Sequence, residues 1–167
     1  MKNSIRCVLG KIINRSDLYE AVKKWRVEEK VIVFTNGCFD IIHRGHVEYL
    51  CKAKSLGDVL ILGLNSDQSV KKLKGEGRPF VSEKDRAYIL SQLVPVDVVS
   101  VFEEETPLNL IKLVVPDVLV KGGDYTHDTI VGSNEVEESG GTVVAIPLVQ
   151  GRSTTGLIEK IRKTKPE

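Results

Sequence analysis

Two histidines, His43 and His46, stand three residues apart in this chain and are separated by an arginine and Gly45. They follow the apolar run 31–34, which is typical of a buried strand, through the short connector 35–40. Imidazoles at this spacing project from the same side of a first helical turn. The unpaired N–H groups and positive dipole end of such a turn attract phosphate, and Gly45 removes a side chain that would hold a phosphate away. The pattern predicts nucleotide chemistry.

Strands and helices alternate along the whole chain. Apolar runs predict five strands, at 31–34, 59–64, 96–102, 117–120 and 142–146, with helix-type periodicity between them. Because these runs are near-continuous rather than alternating, they indicate a parallel sheet covered on both faces. We therefore predict a single α/β domain of Rossmann-like architecture, 1–167, with a five-stranded parallel sheet. An N-terminal helical segment, 1–30, would precede a catalytic core, 31–163.

Capping residues predict where the helices begin and end. Ser16 is expected to cap a helix over 18–25, and Gly57 to end the helix that starts at Gly45. The remaining helix starts are expected at Asn65-Ser66-Asp67, at the capping box Ser82–Asp85, at Thr106-Pro107 with proline in the first helical position, and at Ser153.

Composition excludes several classes of protein. The 167 residues are 28% charged and 41% hydrophobic with a net charge of +1, so neither a nucleic-acid coat nor a membrane surface is indicated. No apolar run approaches the ~20 residues of a membrane span, and the apolar part of 1–9 is short for a secretory signal. Three cysteines, an odd number, give no disulfide framework. A reducing cytosol is the simplest expectation.

Parallel sheets of this kind bind ligands beyond the carboxyl ends of their strands, where the strand order reverses. Four segments follow predicted strands and can therefore converge on one edge: the histidine motif, the basic stretch 71–78, the turn 121–125 and the segment 151–155.

The segment 35–46, Thr-Asn-Gly-Cys-Phe-Asp-Ile-Ile-His-Arg-Gly-His, resembles the signature of the cytidylyltransferase-like nucleotidyltransferases, and 151–155 resembles their C-terminal signature. Within that superfamily, 73–79, 120–125 and 153–155 resemble the adenylyltransferase domain of ADP-heptose synthesis. The similarity covers about 31–163. It implies that ATP and a sugar 1-phosphate, D-glycero-β-D-manno-heptose 1-phosphate, give ADP-sugar and pyrophosphate. Relatives often carry a fused sugar kinase, for which this chain is too short, so a stand-alone form is expected.

The resemblance also implies roles for individual residues. His43 and His46 would be the catalytic pair, hydrogen-bonded to α- and β-phosphate oxygens, with Lys74 beside them. The nucleotide would contact Asn36, Gly37, Phe39, Gly45, Gly122, Asp124, Tyr125, Arg152, Ser153, Thr154 and Thr155, and Asn36 could also reach the sugar phosphate. The sugar phosphate would contact Asp40, Arg78 and Arg86. Mg²⁺ is expected with the ATP, near Asp40, and a homodimer is common among relatives.

Several of these residues have alternative explanations. Asp40 could cap the local backbone instead of holding Mg²⁺ or its water shell, and Arg86 could form a surface salt bridge with Glu83. Ser153, Thr154 and Thr155 could serve only as a helix start, and Asp124 could belong to an ordinary glycine turn rather than accept from a ribose hydroxyl. A zinc set of Cys38, His43, His46 and Cys51 is disfavoured because structural zinc sites usually show tight Cys-x-x-Cys pairs.

Other functions also fit part of the sequence. Relatives that use CTP commonly show Arg-Thr-x-Gly-Ile-Ser/Thr near the C-terminus, whereas Leu148 stands at the arginine position here and an arginine occurs at Arg152 instead. This difference weakens the case for CTP. The alternatives are a glycerol 3-phosphate cytidylyltransferase, a nucleotide-binding module without turnover, and a structural zinc protein.

Overall fold

The computed structural model describes residues 11–123, 129–147, 149 and 151–164. The described residues form five strands: β1 (Ile32–Gly37), β2 (Val59–Asn65), β3 (Val98–Phe102), β4 (Val118–Gly122) and β5 (Thr142–Ile146). They also form seven helices: α1 (Arg15–Val27), α2 (Arg44–Lys54), α3 (Asp67–Lys74), α4 (Glu83–Ser91), α5 (Leu108–Val114), α6 (Ser133–Glu138) and α7 (Thr154–Lys163). The predicted five-stranded parallel sheet of a Rossmann-like α/β domain is confirmed.

The strand order is β3-β2-β1-β4-β5, so the chain winds outward from β1 in both directions. β1 pairs with β2 on one side and with β4 on the other, and both pairings are parallel. The carboxyl ends of β1 and β4 therefore lie side by side where the winding reverses. In sheets of this class that point opens the ligand-binding crevice.

Successive residues of β1 point to opposite faces of the sheet and enter two separate cores. Phe34 packs with residues of α1 and α5 on one face. Val33 packs with residues of α2 and α4 on the other. Both are fully buried, and each such apolar side chain contributes about 1.5–3 kcal/mol by leaving water. The apolar runs in the sequence are near-continuous because helices cover both faces of the sheet.

Aspartates close the amino-terminal edge of the sheet. Asp97 Oδ2 accepts from the Leu60 amide at 2.7 Å, and Asp117 Oδ2 accepts from the Ile32 amide at 2.6 Å. Each aspartate directly precedes its own strand and satisfies an N–H group of the neighbouring strand. β3 and β4 consequently begin at Val98 and Val118, slightly later than the apolar runs predict.

Three predicted helix ends are corrected. The N-cap of α1 is Asn14, whose side chain accepts from the Asp17 amide, rather than Ser16. α2 ends at Lys54, before Gly57. Glycine is required at position 57 for another reason: a Cβ there would lie 2.7 Å from the Val31 carbonyl oxygen. Pro107 is the N-cap of α5 instead of its first helical residue.

Other caps are confirmed. Ser66, Ser82 and Ser153 each precede a helix and accept from an amide of its first turn. The six-residue helix α6 follows from no periodicity in the sequence. Among the residues that the structure covers, no helix combines the length and the apolar character required to cross a bilayer.

Candidate active site

The two histidines lie at the start of α2, directly beyond β1. His43 is the N-cap residue of the helix, and His46 is its third residue. Their rings are stacked, with centroids 3.8 Å apart and planes inclined by 19°. Both Nδ1 atoms are buried without a hydrogen-bond partner in the described structure. The two imidazoles therefore lie side by side at the helix N-terminus, as the spacing predicts.

The surroundings keep both rings neutral near neutral pH. Burial, and after it the neighbouring His43, lower the pKa of His46 to about 4. The pKa of His43 is also lowered, first by burial and then by the charge of Arg152. A neutral imidazole has one N–H group, so each ring can donate one hydrogen bond to an anion without carrying a charge itself.

Gly45 lies where the histidine pair meets the start of α7. A Cβ at this position would come within 3.1 Å of the His43 ring and 3.2 Å of Arg152 Cβ. The space that the missing side chain provides is thus taken by protein groups, whereas the sequence predicted that it would admit a phosphate. Thr154 Oγ1 donates to the Ile41 carbonyl at 3.4 Å and joins the two segments further. The two signature segments form one continuous edge.

Ser153 has the capping role that was its alternative explanation. Its hydroxyl accepts from the Gly156 amide at 3.0 Å at the start of α7. Capping leaves the remaining free amides of the first turn available for an anion. Arg152, Ser153 and Thr155 are exposed beside the histidine pair, so their assignment to the nucleotide stays a prediction that the geometry permits.

Phe39 contacts the histidine pair through the ring of His46. It has a left-handed backbone, with φ of 46°, and a buried ring 5.2 Å from that of His46. A Cβ at Gly37 would lie 2.8 Å from this ring, so the close approach requires glycine. The ring of Phe39 packs in the core, which differs from the predicted nucleotide contact because little of its surface remains to meet a ligand.

Asp40 is engaged by the loop that follows α3. Its carboxylate, 6% exposed, accepts from Arg78 Nη1 at 2.8 Å and from the amides of Phe80 and Val81 at 2.7 and 3.0 Å. The predicted alternative of local capping is wrong in detail, because these amides lie some forty positions along the chain. Asp40 and Arg78 neutralise each other in the structure, so neither is a free contact for a sugar phosphate.

Arg86 is fully buried, in contrast to the prediction that it faces the acceptor phosphate. Its guanidinium donates to the carbonyls of Val81, Cys38 and Asn65 at 2.9, 2.6 and 2.9 Å. A fourth bond, of 2.7 Å, goes to Asp67 Oδ1. The alternative surface pair with Glu83 is also wrong. Arg86 ties together the ends of β1 and β2 and the loop before α4, all of which border the crevice.

Two lysines approach the same crevice. Lys121, near the end of β4, donates from Nζ to Asn36 Oδ1 of β1 at 3.0 Å, and burial lowers its pKa. Lys74, at the end of α3, is exposed, and its charge, like that of Lys121, acts on the Cys38 thiol. Sequence reasoning assigned Lys121 no role, although its position beyond a strand next to β1 was the available signal.

The structure therefore brings most of the predicted site residues to one edge. His43, His46, Gly45, Arg152, Ser153 and Thr154 converge on one side of the crevice, and Asn36, Lys74 and Gly122 approach it from β1, α3 and β4. Asp124, Tyr125 and Leu148 lie outside the described residues. Within the described ranges, no group of three or more His, Cys, Asp or Glu side chains could hold a metal ion, so the four-residue zinc set finds no support there.

A parallel sheet with a helix start at its switch point is the architecture of a nucleotide-binding α/β domain. Residues 34–162 match the family model described as cytidylyltransferase-like. The chain belongs to this cytidylyltransferase-like family and is a nucleotidyltransferase, as the signature segments predict.

Relatives in several bacteria share the sequence closely. The chain is 56% identical over 152 residues to the "Bifunctional protein HldE" of Syntrophotalea carbinolica, covering 91% of this chain and 31% of that protein. It is 53% identical over 158 residues to the protein of the same name from Geobacter sulfurreducens, covering 95% and 32%. The chain thus spans about a third of the length of the curated relatives it matches.

Solved structures agree with the fold. The lipopolysaccharide core biosynthesis protein from Thermoplasma volcanium has a TM-score of 0.59 at 27% identity, over 74% of this chain and 99% of that one. A pantoate-beta-alanine ligase from Francisella tularensis, solved with β,γ-ATP and beta-alanine, has a TM-score of 0.61 at 18% identity, over 87% and 69%. The second likeness bears on the fold alone.

Proposed function

We propose that this nucleotidyltransferase is an adenylyltransferase that transfers AMP from ATP to D-glycero-β-D-manno-heptose 1-phosphate in the cytosol. The products would be ADP-heptose and pyrophosphate. The observation that carries the proposal is the neutral, stacked pair His43 and His46 beside Arg152, at the switch point of the sheet. Similarity to proteins named HldE and to a lipopolysaccharide core biosynthesis protein supports the heptose assignment.

The proposed reaction needs little covalent help from the protein. An oxygen of the sugar phosphate, already ionised, attacks the α-phosphorus of ATP, and the bond from that phosphorus to the pyrophosphate oxygen breaks. The main obstacle is to bring anions together and to stabilise the charge that builds on the α-phosphate and the leaving group. Fixed donors and cations meet that need, and a strong general base is not required.

The residues on the histidine side of the crevice, from the starts of α2 and α7, suit this task. Each neutral imidazole of the pair donates one hydrogen bond to a phosphate oxygen, and the free amides at the starts of α2 and α7 add fixed positive ends of dipoles. Arg152 supplies a full charge beside His43. This side is therefore suited to the β- and γ-phosphates that leave as pyrophosphate.

Mg²⁺ is proposed to arrive with the triphosphate as part of the substrate. The carboxylate that the sequence assigns to the ion, Asp40, already accepts three hydrogen bonds from protein donors. It would have to exchange the bond from Arg78 in order to bind the ion or its water shell. The metal would neutralise phosphate charge that the protein's own cations do not reach.

A panel of nucleotides and acceptors tests the proposal. Release of pyrophosphate is measured with ATP or CTP against both anomers of heptose 1-phosphate, glucose 1-phosphate, mannose 1-phosphate and glycerol 3-phosphate. ATP with the β-anomer of heptose 1-phosphate should give the highest kcat/KM. Faster turnover with CTP and glycerol 3-phosphate would instead identify the related cytidylyltransferase, and ATP binding without any pyrophosphate would identify a module without turnover.

A further inference from the structure

Phe80 is a phenylalanine whose side chain stays in contact with solvent although its backbone is fixed. The residue is 53% exposed, whereas the other three phenylalanines of the chain are at most 6% exposed. Its amide donates to a buried oxygen of the Asp40 carboxylate at 2.7 Å, and the amide of Val81 donates to the same oxygen at 3.0 Å. The ring therefore projects from a fixed point of the backbone without belonging to either core.

Arg78 holds the ring from one side. Its guanidinium lies over the Phe80 ring, 4.7 Å from the centroid, while Nη1 donates to Asp40 Oδ2 at 2.8 Å. A cation is attracted to the negative face of an aromatic ring, and the bond to Asp40 fixes this cation in turn. Isolated exposed apolar side chains are common on proteins and need no explanation. This ring differs from them because its backbone and one of its faces are both held in place while the rest stays open.

The ring lies at the border of the crevice, on the side of β2. The loop that carries it follows β2 and α3, and Arg86 bonds the carbonyls of both Cys38 and Val81, so the loop runs beside the connector that leaves β1. The start of α7 follows β5 and contacts the same connector, where Thr154 donates to the Ile41 carbonyl. Because β2 and β5 lie on opposite sides of β1, the loop and α7 border opposite sides of the crevice.

The geometry of the transfer gives this position a meaning. The attacking oxygen must approach the α-phosphorus roughly in line with the bond that breaks. If the leaving pyrophosphate lies against the histidine pair and α7, the acceptor must come from the side of Phe80. We propose that the sugar ring of the acceptor packs on the open face of Phe80, and that this contact selects cyclic sugar 1-phosphates over small acyclic phosphates. This inference rests on the proposed function for the identity of the acceptor.

A pyranose ring suits such a surface. One of its faces presents C–H bonds whose hydrogens carry a small positive charge, and the face of an aromatic ring is negative. Packing the two together also removes apolar surface from water. The Nε and Nη2 groups of Arg78 have no partner within the described ranges, so they can donate to hydroxyl groups at the rim of the sugar. An acyclic acceptor such as glycerol 3-phosphate has no comparable face.

Steady-state kinetics of Phe80→Ser test the assignment. The KM for heptose 1-phosphate should rise about 3- to 10-fold, as expected for the loss of one aromatic contact, while kcat and the KM for ATP change by less than about twofold. Phe80→Tyr should stay near the wild type because it keeps the ring, and Phe80→Leu should lie between because it keeps only apolar bulk. The inhibition constant of glycerol 3-phosphate against the sugar phosphate should be the same in the wild type and in Phe80→Ser.

Tyr19→Ser is the matched control. Tyr19 is 47% exposed on α1, and the Lys23 ammonium lies over its ring at 4.2 Å from the centroid. Its substitution should leave all of these constants unchanged. Thermal unfolding is measured for each variant, and Phe80→Leu keeps the test decisive if Phe80→Ser folds poorly.

Three kinetic outcomes would overturn the proposal. The first is an unchanged KM for the sugar phosphate in Phe80→Ser. The second is a larger rise in the KM for ATP, which would assign the ring to the adenine base. The third is an equal loss in Phe80→Tyr and Phe80→Ser, which would show that the aromatic face makes no contact with the sugar.

A second measurement does not depend on turnover. The chain has one tryptophan, Trp25, so Phe80→Trp adds a second fluorophore at the proposed contact. Glucose 1-phosphate, mannose 1-phosphate and heptose 1-phosphate should change its emission at concentrations where glycerol 3-phosphate and inorganic phosphate do not. The wild type, with Trp25 alone, gives the background and should not respond. A response to ATP only, or no response to any sugar phosphate, would overturn the proposal.

The proposed function and the sugar contact can fail separately. Turnover of CTP with glycerol 3-phosphate, and of no sugar phosphate, would refute the proposed function. A response of Phe80→Trp to sugar 1-phosphates in that protein would still support the sugar contact. Normal turnover of heptose 1-phosphate with an unchanged KM in Phe80→Ser would refute the sugar contact alone.

Discussion

Arg78 donates from Nη1 to Asp40 Oδ2 across 2.8 Å and so joins the loop after α3 to the connector after β1. The same carboxylate accepts from the amides of Phe80 and Val81, and the guanidinium lies over the Phe80 ring at 4.7 Å. One buried carboxylate thus fixes the path of a loop that borders the crevice. Together with Arg86, which also bonds both segments, Asp40 holds the connector before the histidines against this loop.

Asp40→Ala should lower the free energy of unfolding by about 3 kcal/mol, because it leaves a half-buried guanidinium and two amides without their acceptor. Urea denaturation measures the change. Asp40→Asn is the informative comparison, since its amide oxygen can still accept from the backbone while its NH₂ group cannot accept from Arg78. We expect an intermediate loss for Asp40→Asn. Equal losses in the two variants would show that the two backbone bonds contribute little, and an Asp40→Asn variant as stable as the wild type would show that the ion pair with Arg78 contributes little.

His43→Ala and His46→Ala should each reduce turnover by about 10²–10³-fold, because each removes a fixed donor to charge that develops in the transition state. Pyrophosphate release measures the rate, and circular dichroism checks the fold. Glu48→Ala, on the same helix and paired only with Arg44 in the described residues, serves as the control and should stay near the wild-type rate. A histidine variant within threefold of wild type contradicts the assignment.

Acid should destabilise the protein through His46. Burial and the neighbouring His43 lower its pKa from 6.5 to about 4 in the folded state. Between these values the unfolded chain binds the proton more readily, so stability that is complete above about pH 6.5 is lost as pH falls toward 4. Thermal melts across this range should show a steeper fall in Tm for the wild type than for His46→Gln. Parallel curves would mean that His46 titrates normally.

Arg86→Lys should be strongly destabilising, by about 3 kcal/mol or more, although it conserves charge. A lysine has one nitrogen and cannot reach the four oxygens that the guanidinium bonds in different directions. The buried carbonyls would be left unpaired. Arg44→Lys, exposed on α2, is the matched control and should change stability by less than about 0.5 kcal/mol in the same urea experiment.

The fold was largely predictable because its main signals are local in sequence. A run such as 59–64 is apolar at every position since both faces of β2 are covered, and Ser66, Ser82 and Ser153 act within one helical turn of themselves. The N-cap of α1 was missed because Asn14 and Ser16 are both suitable caps two positions apart. Only the bond to the Asp17 amide distinguishes them.

The site was predictable in its location and less so in its contacts. The stacking of His43 and His46 follows from their spacing, because both lie on one helical turn. Arg86 was misjudged because a charged residue in a helix is expected at the surface, and its distant partners come from two segments, at Cys38 and at Asn65 and Asp67. Considered separately in the sequence, Asp40 and Arg78 each resemble a residue that contacts a ligand. Their mutual pairing, across 38 positions, has no signal in a single sequence.

Gly45→Ala separates the two demands on this position, stability and ring placement. Alanine favours a helix over glycine by about 1 kcal/mol, so substitution within α2 should help folding. The new Cβ, however, would lie 3.1 Å from the His43 ring and 3.2 Å from Arg152 Cβ, which is tight enough to displace the ring. We expect stability within about 1 kcal/mol of the wild type and at least a tenfold loss of kcat, since a donor moved by a fraction of an ångström no longer matches the transition state. Urea denaturation and pyrophosphate release measure the two quantities on the same preparation.

An unchanged kcat of Gly45→Ala would show that the His43 ring can shift without loss of activity. Gly156→Ala is the comparison at the start of α7, because its Cβ would meet only the Ser153 hydroxyl among the described residues.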